Sequence, residues 1–192
     1  MSDSTEGLYL RVLILRGQTG DEAAFAELVE RHDVRLRYYL RKMLGTNQID
    51  DTLQDVWLDV FRALPRLLDP GAFGAWLYRI ARDRAYRVQR RRRLPTQSLP
   101  DGIEAPDAEA EFDPADAAAI HAALDRLTPE HREALILRFI EEMTYEQIAE
   151  VVGVPLGTVR SRLYHAKREL RHILERTNEH ERERTGPGHV GV

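Results

Sequence analysis

Thr144–Arg171 reads TYEQIAEVVGVPLGTVRSRLYHAKRELR, and this stretch decides which fold the chain can adopt. Two short helical patterns flank a turn at Gly153. Thr144 is placed to cap the first helix, and Gln147 completes a capping box in which each side chain satisfies a backbone N–H at the helix start. Ile148, with Val151 or Val152, supplies the buried side. Gly153 suits the left-handed residue that ends a helix, and Pro155 suits the first turn of the next. In the second helix Val159, Leu163, Ala166 and Leu170 recur at spacings of four, three and four, so they share one face. Arg160, Ser161, Tyr164, His165, Lys167, Arg168 and Arg171 occupy the rest. The pattern is that of a helix-turn-helix whose second helix can enter a major groove. The plainer alternative is a two-helix corner with a solvated basic face.

Working outward, the 192 residues suit one or two domains, and 43% hydrophobic with 31% charged residues suits a helix-rich globular chain. Cysteine is absent, which excludes disulfides and thiolate metal sites. No apolar run approaches the ~20 residues that span a bilayer. Leu8–Leu15 is too short and contains Arg11, and it lacks the flanks of a signal peptide. The cytoplasm is the expected compartment. The net charge of −4 is unevenly spread. Arg79–Arg93 holds eight arginines and one acid, Asp83, whereas Pro95–Ala119 holds seven acids and no base. Local rather than total charge governs nucleic-acid affinity.

The remaining segments are also helical in period, which predicts an all-α protein. Phe25, Leu28, Val29, His32, Leu36, Tyr39, Leu40 and Met43 form a stripe over about Asp21–Leu44. After a turn at Gly45–Gln48, Leu53, Val56, Trp57, Val60, Phe61 and Leu64 form a second. Pro65–Gly71 breaks the chain. Phe73, Leu77, Ile80, Ala81 and Val88 then face inward on a third helix that runs into Arg90–Arg93. Residues 1–93 thus form an N-terminal helical domain. Residues 94–114 lack a stripe and are rich in Pro, Ala, Asp and Glu, which predicts a flexible acidic linker. A C-terminal domain over 115–176 follows, with helices at Asp116–Leu127 and Pro129–Ile140, the second capped by Thr128. The polar, Gly-rich 177–192 is expected to be disordered.

In this order, the strings DDTLQDVWLDVFRAL (Asp50–Leu64), FGAWLYRIARDRA (Phe73–Ala85), LTPEHREALILRF (Leu127–Phe139) and TYEQIAEVVGVPLGTVRSRL resemble the extracytoplasmic-function (ECF) sigma factors of the sigma-70 family. The resemblance extends from Phe25 to Arg171. It implies a sigma region 2-like helical domain and a region 4-like helix-turn-helix domain. Such a chain joins core RNA polymerase at its clamp and flap, opens the −10 element and reads the −35 element of promoter DNA. The acidic linker would thread the polymerase's basic channel. An anti-sigma factor is the further partner implied.

Individual residues can be matched to these roles. On the second stripe helix Asp51, Gln54, Asp55 and Leu58, with Asp59 and Arg62, project away from the core as an acidic docking face, and the resemblance makes Asp51, Gln54, Asp55 and Leu58 the polymerase-binding set. On the third helix Trp76, Arg79, Arg82, Asp83, Tyr86 and Gln89 combine positive charge with flat rings, as holding unstacked bases requires. The loop Arg66–Ala72 is where relatives hold an extruded base. Asp83 stands where many relatives have asparagine, and an ionised carboxylate cannot donate a hydrogen bond. Trp76 and Tyr86 serve equally well as core edges. Arg90–Arg93 can contact duplex phosphates. In the recognition helix Arg160 and Ser161 can reach base edges, and arginine pairs bidentately with guanine. Tyr164 and His165 lie alongside, Lys167 and Arg168 suit phosphates, and Arg162 lies closer to the buried side. His165 stands where several relatives have arginine.

An ordinary helix-turn-helix regulator with an N-terminal dimerisation or sensory domain is the competing expectation. An enzyme is not expected. The seven histidines form no ligand-spaced cluster, and there is no phosphate-binding glycine loop or nucleophile elbow. No metal or other cofactor is implied, and His32 reads as a boundary histidine of the core.

Overall fold

Gly45, at φ 77° beyond the last turn of the Asp21–Leu44 stripe, and Gly153, at φ 69°, end their helices in the left-handed region that side chains rarely adopt. The structure, a computed structural model, describes residues 2–45, 48–92 and 117–185. The described residues form α1 (Ser2–Gln18), α2 (Glu22–Leu44), α3 (Ile49–Ala63), α4 (Phe73–Arg92), α5 (Ala117–Leu124), α6 (Pro129–Leu135), α7 (Tyr145–Val152) and α8 (Leu156–Thr185). They contain no strand.

Helix α1 adds an element to the three-helix domain expected from sequence. It contains the Leu8–Leu15 stretch and buries Leu13 and Ile14. Its end is pinned where the Gln18 amide donates to the carbonyls of Leu64 (3.1 Å) and Leu67 (2.6 Å). Asp21 then caps α2, its carboxylate accepting from the Ala24 N–H at 3.0 Å. Helices α2, α3 and α4 close around Leu28, Leu36, Leu40, Val56, Val60 and Leu77, each with no exposed surface. Full burial of one such side chain is worth about 1.5–3 kcal/mol. Between α3 and α4 two short 3₁₀ turns carry Pro65 and Pro70.

One residue of the α3 stripe departs from expectation. Phe61 is 53% exposed and meets Phe25 edge to face, at 5.1 Å between ring centres. It lies at the rim of the core, where the helical period continues but the packing partners do not. His32 is the expected boundary residue: its Nδ1 lies 2.8 Å from the Leu28 carbonyl, and burial pulls its pKa down.

In the second half, Thr128 caps α6 through a 3.3 Å hydrogen bond from the His131 N–H. The helix expected to run straight to Ile140 widens into a π-helical turn over Ile136–Ile140. Adjacent Ile136 and Leu137 are both fully buried across this wider turn, and Phe139 is left 46% exposed. Helix α8 reaches Thr185, so residues 177–185 are helical where composition predicted disorder. The linker expected at 94–114 lies outside the described residues. The two helical groups are in contact, α4 against α7 and α2 against α6.

Candidate functional site

The helix-turn-helix forms as its sequence dictates. The Thr144 hydroxyl accepts from the Gln147 N–H (3.2 Å), and the Gln147 amide oxygen accepts from the Thr144 N–H (2.9 Å). Ile148, Val151 and Val152 are all buried. Pro155 sits just before α8, its carbonyl accepting from Thr158 and Val159 at 2.9 and 3.2 Å. Val159, Leu163, Ala166 and Leu170 are buried as their spacing predicts.

Arg160 and Arg168 are exposed on α8. Tyr164 is half-buried and meets the His165 ring at 5.3 Å, with the Arg168 guanidinium 5.8 Å from its centre. Lys167 reaches back to the Phe139 ring at 5.5 Å. Ser161 corrects the expectation: at 7% exposure it cannot present its hydroxyl to a base. Helix α8 is packed by α5, α6 and α7 together, so its buried arc is wider than the apolar stripe alone.

The face of α4 is divided. Trp76 is half-buried on Phe73, with ring centres 5.9 Å apart, while Asp83 and Arg87 are exposed. Arg82, expected to meet DNA, instead donates from Nε to both Glu133 oxygens at 3.1 and 3.3 Å. Its guanidinium lies 4.4 Å from the Tyr86 ring centre, and the Tyr86 hydroxyl donates to Glu133 at 3.4 Å. Arg79 approaches Glu150 at 3.8 Å, with both side chains about half exposed. In this conformation Arg82 and Tyr86 therefore serve the contact between the two halves. Beside the exposed part of α4, an open cavity of about 350 Å³ is lined by Arg62, Arg66, Arg84 and Arg87 with Asp59 and Asp83. It begins at the loop expected to hold a base, where Leu68 is 98% exposed.

On α3, Asp51, Gln54, Asp55, Leu58 and Arg62 are exposed together. Phe61 joins Leu58 as a second exposed apolar side chain on this helix, an addition that periodicity had assigned to the core. Asp59 is half-buried and paired with Arg84 at 2.5 Å, and Asp55 meets the same arginine at 3.2 Å.

Sequence reasoning missed the group centred on Glu133, which is 1% exposed. Tyr39 donates to its carboxylate at 2.7 Å. Burial first, and then the Glu133 charge, holds the Tyr39 hydroxyl well above its ordinary pKa and pushes Tyr86 up to about 12, so both remain donors. Nearby, Lys42 is 8% exposed and donates at 2.8 Å to each Asp125 carboxylate oxygen and to the His121 carbonyl. Arg132 donates to the Lys42 carbonyl at 2.7 Å. No local signal marks Glu133, because Arg82 and Tyr39, which meet it, lie 51 and 94 residues away along the chain.

Family models match two stretches, Sigma-70 region 2 over residues 28–94 and Sigma-70, region 4 over residues 117–170. The ECF RNA polymerase sigma factor SigE of Mycolicibacterium smegmatis is 40% identical over 168 residues, which cover 81% of this chain and 65% of that protein. The ECF RNA polymerase sigma-E factor of Escherichia coli K12 is 30% identical over 181 residues, covering 86% of this chain and 94% of that protein. Among solved structures, CnrH in complex with the cytosolic domain of CnrY superposes with a TM-score of 0.64 at 26% identity, covering 86% of this chain and 97% of CnrH. The sigma factor RpoE of Bartonella quintana, solved with the anti-sigma factor NepR, shares the fold at a TM-score of 0.61 and 23% identity, over 79% of this chain and 96% of that one.

Proposed function

The chain belongs to the ECF RNA polymerase sigma factors of the sigma-70 family, and from that premise we propose that it binds core RNA polymerase and directs it to promoters. The observation that carries this reading is the pairing, in one chain, of a capped helix-turn-helix with an exposed acidic and apolar face on α3. A stand-alone regulator needs the first feature and would use the second only as its dimerisation or sensory surface, an alternative that the transcription test below separates.

In this reading Asp51, Gln54, Asp55 and Leu58 dock on the polymerase clamp, with Phe61 adding apolar area. Charge complementarity of such a face speeds encounter and sets register. Arg160 reads a base edge of the −35 element, with Tyr164 and His165 beside it and Lys167 and Arg168 on phosphates. At the −10 element, Trp76, Arg79, Arg82, Asp83 and Tyr86 form the promoter-opening face, and the arginine-lined cavity receives an extruded base. Ser161 is buried and takes no part in this contact. The chain contributes binding and positioning and no catalytic chemistry of its own. Among the described residues no helix is long and apolar enough to cross a membrane, and we place the protein in the cytoplasm with its polymerase. An anti-sigma factor that covers these faces is the further partner proposed.

Run-off transcription with the purified chain, core RNA polymerase and a genomic promoter library tests the reading. Discrete starts with a shared pair of upstream elements are expected. Absence of initiation, together with tight binding of duplex operators by the chain alone, would identify a stand-alone regulator instead.

A further inference from the structure

The turn that joins α3 to α4 is held from outside itself. Leu64–Arg66 is a single 3₁₀ turn, closed by the Leu67 N–H donating to the Leu64 carbonyl at 3.0 Å. Neither backbone N–H that could carry the turn on to the Leu67 carbonyl is available. Three residues further stands Pro70, which has no N–H. Four residues further, the Gly71 N–H donates to the Asp69 carboxylate at 2.8 Å. A carbonyl left over at a helix end takes its partner from elsewhere. Here the Gln18 amide supplies it, donating to the Leu67 carbonyl at 2.6 Å and to the Leu64 carbonyl at 3.1 Å. Gln18 is the last residue of α1 and is half-buried. Gly17 lets α1 close on the turn, since a Cβ there would lie 3.1 Å from Leu64 Cδ2.

The two carbonyls bracket Pro65 and Arg66, and the second directly precedes Leu68. Arg66 lines the arginine-rich cavity, and Leu68 stands 98% exposed in the same loop. The matched sigma-70 region 2 begins at residue 28, so the loop's support comes from a helix outside it. Side chains that grip a ligand work only when their backbone is held by surrounding bonds. We propose that Gln18 is a positioning residue for promoter opening: through the Leu64 and Leu67 carbonyls it fixes the backbone that carries Arg66 and Leu68, and so sets how firmly the loop holds the extruded base. Gln18 acts through the turn rather than on DNA itself. The inference rests on the reading that this loop and cavity receive a base of the −10 element.

Two variants remove the donors in different ways. Gln18→Met keeps the length of the side chain, and Gln18→Glu keeps its shape but, ionised, cannot donate. Each is assembled with core polymerase on a promoter found in the run-off assay. The promoter is used intact and with one non-template nucleotide of the −10 element made abasic at a time. On the intact promoter both variants should open DNA roughly 5- to 30-fold more slowly than the parent, the span of one to two neutral hydrogen bonds. At one abasic position that deficit should vanish, because no base is left to hold. A fault of folding or of polymerase binding slows every template alike. An equal deficit on all templates would therefore overturn the proposal, and so would parental rates on all of them. A parent that loses nothing at any abasic position would overturn the base-holding reading and the role of Gln18 with it. A parent that initiates at no promoter would overturn the sigma-factor reading itself.

Discussion

Glu133→Gln isolates the charge of the contact between the two halves from its shape. The amide oxygen can still accept from Tyr39, now 2.7 Å from the carboxylate, so one neutral hydrogen bond persists. What is lost is the charged partner of Arg82, at 3.1 and 3.3 Å. Hydrogen bonds to charged groups are worth about 1.5–3 kcal/mol, against about 1 for neutral ones. The guanidinium is also left partly desolvated, its side chain 20% exposed. Removing one partner of a fully buried pair costs about 3–5 kcal/mol, and the water still reaching Arg82 places this case lower, at roughly 2–4 kcal/mol. At 1.4 kcal/mol per tenfold, the ratio of chains with their halves joined to chains with them apart falls roughly 30- to 700-fold. Small-angle scattering of the chain alone should report an increased radius of gyration. Circular dichroism should stay unchanged, since every hydrogen-bond donor described for this carboxylate comes from the other half. Replacing Glu133 and Arg82 together by leucine, with Tyr39→Phe and Tyr86→Phe so that no hydroxyl loses its acceptor, should restore the compact radius, because a well-packed apolar group can replace a buried ion pair. A Glu133→Gln chain as compact as the parent would refute the reasoning.

Asp55→Arg should abolish polymerase binding in a pull-down while leaving the fold intact, since Arg84 keeps its 2.5 Å partner Asp59; unchanged affinity would remove α3 from the interface. Arg160→Ala should weaken binding to the preferred −35 duplex by about 1–3 kcal/mol and relax preference at one position, whereas an equal loss on every sequence would make Arg160 a phosphate contact. Glu141 is half-buried with Oε1 unpartnered, and burial raises its pKa even though the Tyr78 hydroxyl opposes the shift. A carboxyl with a raised folded-state pKa favours the folded form at low pH and penalises it once it must ionise. Glu141→Gln should therefore raise the melting temperature at pH 7, and the gain should shrink as pH falls through the usual carboxylate range, about 4.3 for Glu. A gain that is the same at both ends of that range would refute the assignment.

Much of the architecture is legible locally. The capping box at Thr144 and Gln147, the left-handed Gly153, and the Val159-to-Leu170 stripe are each read within a few residues and recur in the structure. The exposed acidic face of α3 follows equally from period alone. Period fails where neighbours decide. Phe61 keeps the stripe's phase but lies at the core's rim, and Ser161 falls outside the stripe yet is buried on a helix that α5, α6 and α7 all pack against. Helix α1 was missed because its exposed Leu8, Val12 and Leu15 blur the amphipathic signal that Leu13 and Ile14 would otherwise give.

The sequence by itself determined α2, α3 and α4, the caps at Thr128 and Thr144 and the helix-turn-helix, because these rest on interactions between residues a turn or two apart, and its ordered strings pointed to the family. Only the tertiary structure decided how the two halves meet. The bonds that join Glu133 to Tyr39 and Arg82 cross 94 and 51 residues of chain. Nothing in the local pattern distinguishes a glutamate that will be solvated from one that will be buried against an arginine. That distinction is set by desolvation, and desolvation exists only once α2, α4 and α6 have packed together.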